Sequence, residues 1–166
     1  MSAAPEQTTA ALLLDSARRR GWTVAVAESL TGGLVCATGV DVPGASSVLR
    51  GGVVSYATDL KATLLDVDGA LLAERGAVDP DVALAMAAGV RRRLAADVGL
   101  ATTGVAGPDP QDGHPPGTIH VAVETPTARE VRSLRVPGGR PLVRTVAATA
   151  VLRLALELVA DGPAAG

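Results

Sequence analysis

One serine beside paired glycines, a lone lysine and a lone tyrosine are the residues here whose types and spacing could do chemistry. Ser29 lies in Ala27-Glu28-Ser29-Leu30-Thr31-Gly32-Gly33, where an apolar run ends and a helical stretch begins. The two glycines let backbone amides approach a ligand closely, and a helix N-terminus favours anionic groups. Thr31, Gly32 and Gly33 are therefore the expected amide donors to a phosphate or to the oxyanion of an acyl-transfer intermediate. The competing reading of Ser29 is a helix cap.

A serine hydroxyl is a weak nucleophile until a base takes its proton. The G-x-S-x-G pattern that accompanies a histidine partner is missing, and His114 and His120 are poorly placed in the sequence to be that partner. The other arrangement uses a lysine whose amine is neutral because it is buried or near positive charge. Among fifteen lysines and arginines, Lys61 is the single lysine, and only lysine of the two can lose its proton near neutral pH. A solvated position on a helix is the alternative for Lys61. Tyr56, the only tyrosine, lies five residues earlier, at the step from a strand end to the helix that holds Lys61.

The composition bounds what these residues can serve. At 166 residues the chain fits one domain, 1–166, with Met1 to Gln7 and residues 161–166 expected to be disordered. Hydrophobic residues make up 48% and charged residues 19%, enough apolar material to order the chain. There is no Phe, one Trp and one Tyr, and the net charge is -2, so the aromatic platforms and basic groove that bind nucleic acid are missing. The lone Cys36 cannot form an internal disulfide, and two histidines without companion thiols do not make the usual zinc site, so neither metal nor cofactor is expected. The start of the chain carries Glu6 instead of a basic region, and Leu12 to Leu14 is too short to cross a membrane. A cytoplasmic protein without membrane partners is the expectation.

Hydrophobic periodicity supplies the scaffold. A helix from Thr8 ends at Gly21, a buried strand runs from Trp22 to Ala27, and a helix follows over Thr31 to Gly39. After a loop at residues 42–47, Gly51 to Tyr56 is a second strand leading into the helix with Lys61. Asp79-Pro80 caps a helix with Val82, Met86, Val90 and Leu94 on one face. Val98 to Thr103 is a third strand, followed by a long loop rich in Gly and Pro. Thr118 to Glu124 and Val131 to Val136 form a hairpin, and a last helix spans Pro141 to Ala160. This order predicts an α/β fold, a three-layer α/β/α sandwich around a mixed, mostly parallel sheet. The last helix is apolar on several faces, which predicts a homo-oligomer.

Four segments together resemble the CinA C-terminal domain family, whose characterised members are nicotinamide mononucleotide deamidases. They are Ala27 to Gly33, Gly51 to Tyr56 running on to Lys61, Thr103-Gly104-Val105-Ala106-Gly107-Pro108, and Pro116-Gly117-Thr118-Ile119. The resemblance covers nearly the whole chain. It implies an amidohydrolase in which Ser29 attacks the carboxamide, Lys61 acts as its base and Tyr56 relays the proton toward the departing ammonia. It also implies that Thr103, Gly104 and Gly107 line the pocket and that Arg140 meets the phosphate of the nucleotide, an exposed helix-start arginine being the alternative. Thr58 stands where relatives carry Asn, and Asp109-Pro110-Gln111 where they carry a Gly-Gly pair. Those departures motivate a rival reading, a nucleotide-binding or regulatory module without turnover, and a third, hydrolysis of another small amide.

Overall fold

The computed structural model describes residues 7–161. Helix α1, Thr9–Arg19, is capped by the Thr8 hydroxyl, which accepts from the Ala11 amide at 3.2 Å. The chain turns at Gly21 with φ of 67° and enters β1, Val24–Glu28, which is buried along its whole length. Helix α2, Leu34–Val40, returns the chain to β2, Leu49–Val54. Three helices follow: α3, Thr58–Leu65; α4, Gly69–Arg75; and α5, Pro80–Arg93. Asp79 caps α5 as expected, its carboxylate accepting from the Asp81 and Val82 amides ahead of Pro80. Strands β3, Val98–Gly104, β4, Thr118–Glu124, and β5, Arg129–Arg135, precede the long helix α6, Arg140–Asp161.

The sheet order is β2-β1-β3-β4-β5, with β2, β1 and β3 parallel and β4 antiparallel to both its neighbours. Helices α1, α2 and α6 cover one face and α3, α4 and α5 the other, the expected sandwich. Alternation along β1 splits the interior in two. Val24 and Val26 join the layer of α1 and α6, while Ala25 and Ala27 join that of α5. Small residues on the second face let α5 lie close. A Cβ on Gly99 would fall 2.1 Å from the Ala87 carbonyl oxygen, and one on Gly89 would fall 2.0 Å from that of Leu65.

Two expectations change. Helix α4 was not foreseen, although Asp68 caps it and Gly76 ends it in the pattern such helices show. Helix α2 begins at Leu34 and not at Thr31, because Gly32 and Gly33 hold φ of 58° and 103° and delay helical geometry. Much of the apolar surface of α6 packs against α1, α2, β3 and β4, while Leu142 near its start is 50% exposed. Of the ends expected to be disordered, residues 1–6 and 162–166 lie outside the described residues, and Asp161 closes α6. Among the described residues no helix is long and apolar enough to cross a membrane.

Candidate active site

The three parallel strands end on one edge, and there the chain leaves β1 toward α2 on one face but leaves β2 toward α3 on the other. A crevice opens where such connections diverge. The strand ends are pinned across it, Ser29 N–H to Thr102 C=O at 3.1 Å and Ser55 N–H to Glu28 C=O at 2.9 Å. Ser29 therefore projects from the end of the central β1 at a fixed height above the sheet.

Lys61 reaches Ser29 from α3. Its Nζ lies 3.0 Å from Ser29 Oγ and donates to the Ser55 carbonyl at 2.7 Å. The lysine is wholly buried, 0% exposed, so the solvated reading is overturned. Burial disfavours the ammonium and brings the Lys61 pKa from 10.5 down to about 8, while the charge of Asp112 acts in the opposite direction. A neutral amine has one lone pair and two N–H groups. With one N–H on the Ser55 carbonyl, its lone pair can accept the Ser29 O–H. The reading of Ser29 as a cap also falls, since α2 starts five residues later with Gly33 at its N-cap position.

Ser29 opens on a cavity of about 640 Å³. Of the residues expected at the site, Tyr56, Thr103, Gly104, Gly107 and Arg140 line it with Ser29, and Thr58 and Pro110 lie on it too. Tyr56 lines the cavity with its phenol turned to a different partner from Ser29 and Lys61. It is 59% exposed, and its hydroxyl accepts from Arg140 Nη2 at 2.8 Å, while Arg140 Nη1 donates to the Gly107 carbonyl at 2.8 Å. Arg140 thus bridges the end of β2 and the loop after β3. Thr58 is the first residue of α3 and makes no side-chain cap.

Thr31, Gly32 and Gly33 do not line the cavity, and their turn serves another purpose. The buried Glu28 carboxylate accepts from the amides of Gly33 at 3.0 Å, Val35 at 3.1 Å and Cys36 at 2.8 Å. The Gly32 amide donates to the Ser29 carbonyl at 3.1 Å, and the Thr31 and Thr102 hydroxyls pair at 2.7 Å. An internal carboxylate occupies the positive end of α2, so an external anion finds the Gly33, Val35 and Cys36 amides already taken. The N–H groups of Leu30, Ala106 and Gly107, all on the cavity, have no acceptor among the described residues. Leu30 directly follows the serine, the position that supplies an oxyanion donor at a nucleophile turn.

Arg144 is a further contributor, in helix α6. Its guanidinium donates to the Leu30 carbonyl at 3.0 Å and the Thr31 carbonyl at 2.9 Å, tying the serine turn to the helix. Arg144 lies four residues, one helical turn, after Arg140, so both face the same region. Ser55 contributes through its carbonyl, and its buried Oγ has no partner among the described residues.

Comparison with known proteins adds a lineage to this geometry. The model of the CinA C-terminal domain matches residues 6–159. A CinA-like protein of Frankia casuarinae is 54% identical over 145 residues, covering 87% of this chain and 34% of that protein. A protein of Desulforamulus reducens described as a putative competence-damage inducible protein is 45% identical over 150 residues, covering 90% of this chain and 36% of that protein. The chain thus spans roughly a third of the length of these relatives. Among solved structures, a CinA superfamily protein of Klebsiella pneumoniae matches with a TM-score of 0.85 and 29% identity, covering 94% of this chain and all of that one. A competence/damage inducible protein of Agrobacterium tumefaciens matches with a TM-score of 0.80 and 31% identity, covering 95% and 99%.

Proposed function

This chain belongs to the CinA C-terminal domain family, and we propose that it hydrolyses the carboxamide of nicotinamide mononucleotide to nicotinate mononucleotide and ammonia. The observation that carries this reading is the buried amine of Lys61, 3.0 Å from Ser29 Oγ beside an open cavity. Neutral Lys61 takes the Ser29 proton as the oxygen attacks the carboxamide carbon. The resulting oxyanion is held by the unengaged amides, that of Leu30 first, and each such donor is worth about 3 kcal/mol in the transition state. The Lys61 ammonium then returns the proton to the departing nitrogen, and the carbon–nitrogen bond breaks to give an acyl-serine and ammonia. Water, deprotonated by Lys61, attacks the acyl carbon and releases the carboxylate product.

In this scheme Tyr56 acts through Arg140. Its phenol holds Arg140 across the cavity mouth, and Arg140, using two of its five N–H groups there, keeps three for the substrate phosphate. The purified chain is expected to release ammonia from nicotinamide mononucleotide. Ser29→Ala is expected to lower kcat by roughly a thousandfold or more with an unchanged circular dichroism spectrum. Ammonia release by the Ala variant at the parent rate would end the covalent scheme.

A further inference from the structure

Residues 105–117 connect β3 to β4, and the turn at residues 111–114 is more ordered than a sequence rich in Gly and Pro suggests. Gln111 and His114 exchange backbone hydrogen bonds at 3.0 and 2.8 Å, closing a two-residue hairpin with Asp112 and Gly113 at its tip. Both tip residues have positive φ, 51° and 77°, the type I′ turn that an Asp-Gly pair favours. The tip is plugged into the segment between α4 and α5. Asp112 Oδ2 accepts the Ala77 amide at 2.9 Å, and the Ala77 carbonyl accepts the Thr103 hydroxyl at 2.6 Å. One residue on the cavity wall is thereby gripped from both sides, by the loop and by the end of β3. The seat is cut for this carboxylate, since a Cβ on Gly76 would lie 2.9 Å from it.

We propose that Asp112 is a positioning residue of the site: its carboxylate pins the hairpin tip to Ala77 on the cavity wall and fixes one negative charge on that side of the site. The neighbouring ionisable groups are occupied elsewhere. Glu28 at the end of β1 is taken by three amides, Asp66 after α3 pairs with Arg93, and Asp79 caps α5. Asp59 at the start of α3 is exposed, and Tyr56 and Arg140 bind each other. Asp112 is the group whose charge acts on the amine, partly offsetting burial. The same residue therefore anchors the hairpin and bears on the protonation of the base.

The effect on the amine does not require the proposed substrate, whereas its consequence for turnover rests on that reading. Because Lys61 is the only lysine, protein labelled with carbon-13 lysine gives one Cε resonance, whose pH titration reports the amine directly. The wild-type midpoint is expected at about 8. Asp112→Asn keeps an oxygen for the Ala77 amide but loses the charge, so its midpoint moves down, and Asp112→Ala moves it in the same direction. In the Ala variant the Ala77 amide also loses protection from hydrogen exchange, which in the Asn variant it keeps. A midpoint unchanged from wild type in both variants, or full Ala77 protection in Asp112→Ala, would overturn the proposal. With nicotinamide mononucleotide, the pH of half-maximal kcat/KM falls in Asp112→Asn alongside the resonance. A shifted resonance in a protein that never releases ammonia leaves the role of Asp112 standing and removes the proposed function.

Discussion

The amine of Lys61 is held in a state that folding alone would not choose. Its pKa falls from 10.5 to about 8, so below pH 8 the folded chain carries a buried ammonium at a cost of roughly 3 kcal/mol. Between those two values the unfolded chain binds more protons than the folded one, and stability rises with pH. Lys61→Met removes the titration, so its melting temperature relative to wild type is expected to be most favourable below pH 8. That advantage shrinks toward pH 10.5, and calorimetry at several pH values measures it. The same amine makes kcat/KM rise with pH through about 8. Ser29 and Lys61 were legible because each is the one residue of its kind in a chemically useful place. For Tyr56 the sequence showed the place on the cavity but not the partner: a position at a strand end does not fix where the ring points, and the phenol meets Arg140. Nor does the sequence say whether Glu28 faces solvent, substrate or helix, since all three lie within reach of a strand end.

Among the elements, α6 is where scaffold and site are coupled. Its first two turns present Arg140 to the cavity mouth and Arg144 to the serine turn, while the later turns pack into the core. Each hydrogen bond from a charged group contributes about 1.5–3 kcal/mol, and Arg144 makes two to carbonyls at and beside the nucleophile's turn. Arg144→Ala is expected to lower the melting temperature and to reduce kcat more than it raises KM, because it loosens the serine turn while leaving Arg140 and the loop after β3 in place. Steady-state kinetics with a thermal melt checks both. The strands were read to within a few residues from alternation and from the turn residues between them. The start of α2 was misjudged because paired glycines are compatible with either a helix N-terminus or a left-handed turn, and only the bonds to Glu28 decide between them.

At the scale of the whole molecule, one sheet divides two aliphatic cores that share β1, β3 and β4. Neither core can lose its helices without exposing strands that the other needs. Unfolding by urea is therefore expected to be a single transition, with Trp22 fluorescence and far-ultraviolet circular dichroism tracing the same curve. Separate midpoints would mean that the α1/α6 layer melts apart from the α5 layer. The layered fold followed from the order of strands and helices, and the all-round apolar character of α6 reflects its packing against α1, α2 and the sheet. The two large aromatic side chains also divide the molecule: Trp22 precedes β1 at one edge of the sheet, and Tyr56 follows β2 at the opposite edge. With a single tyrosine in hydrogen-bond contact with Arg140, any compound that draws the guanidinium away leaves the phenol to water. Its near-ultraviolet difference spectrum then becomes a label-free gauge of occupancy, read in the native chain with no dye attached.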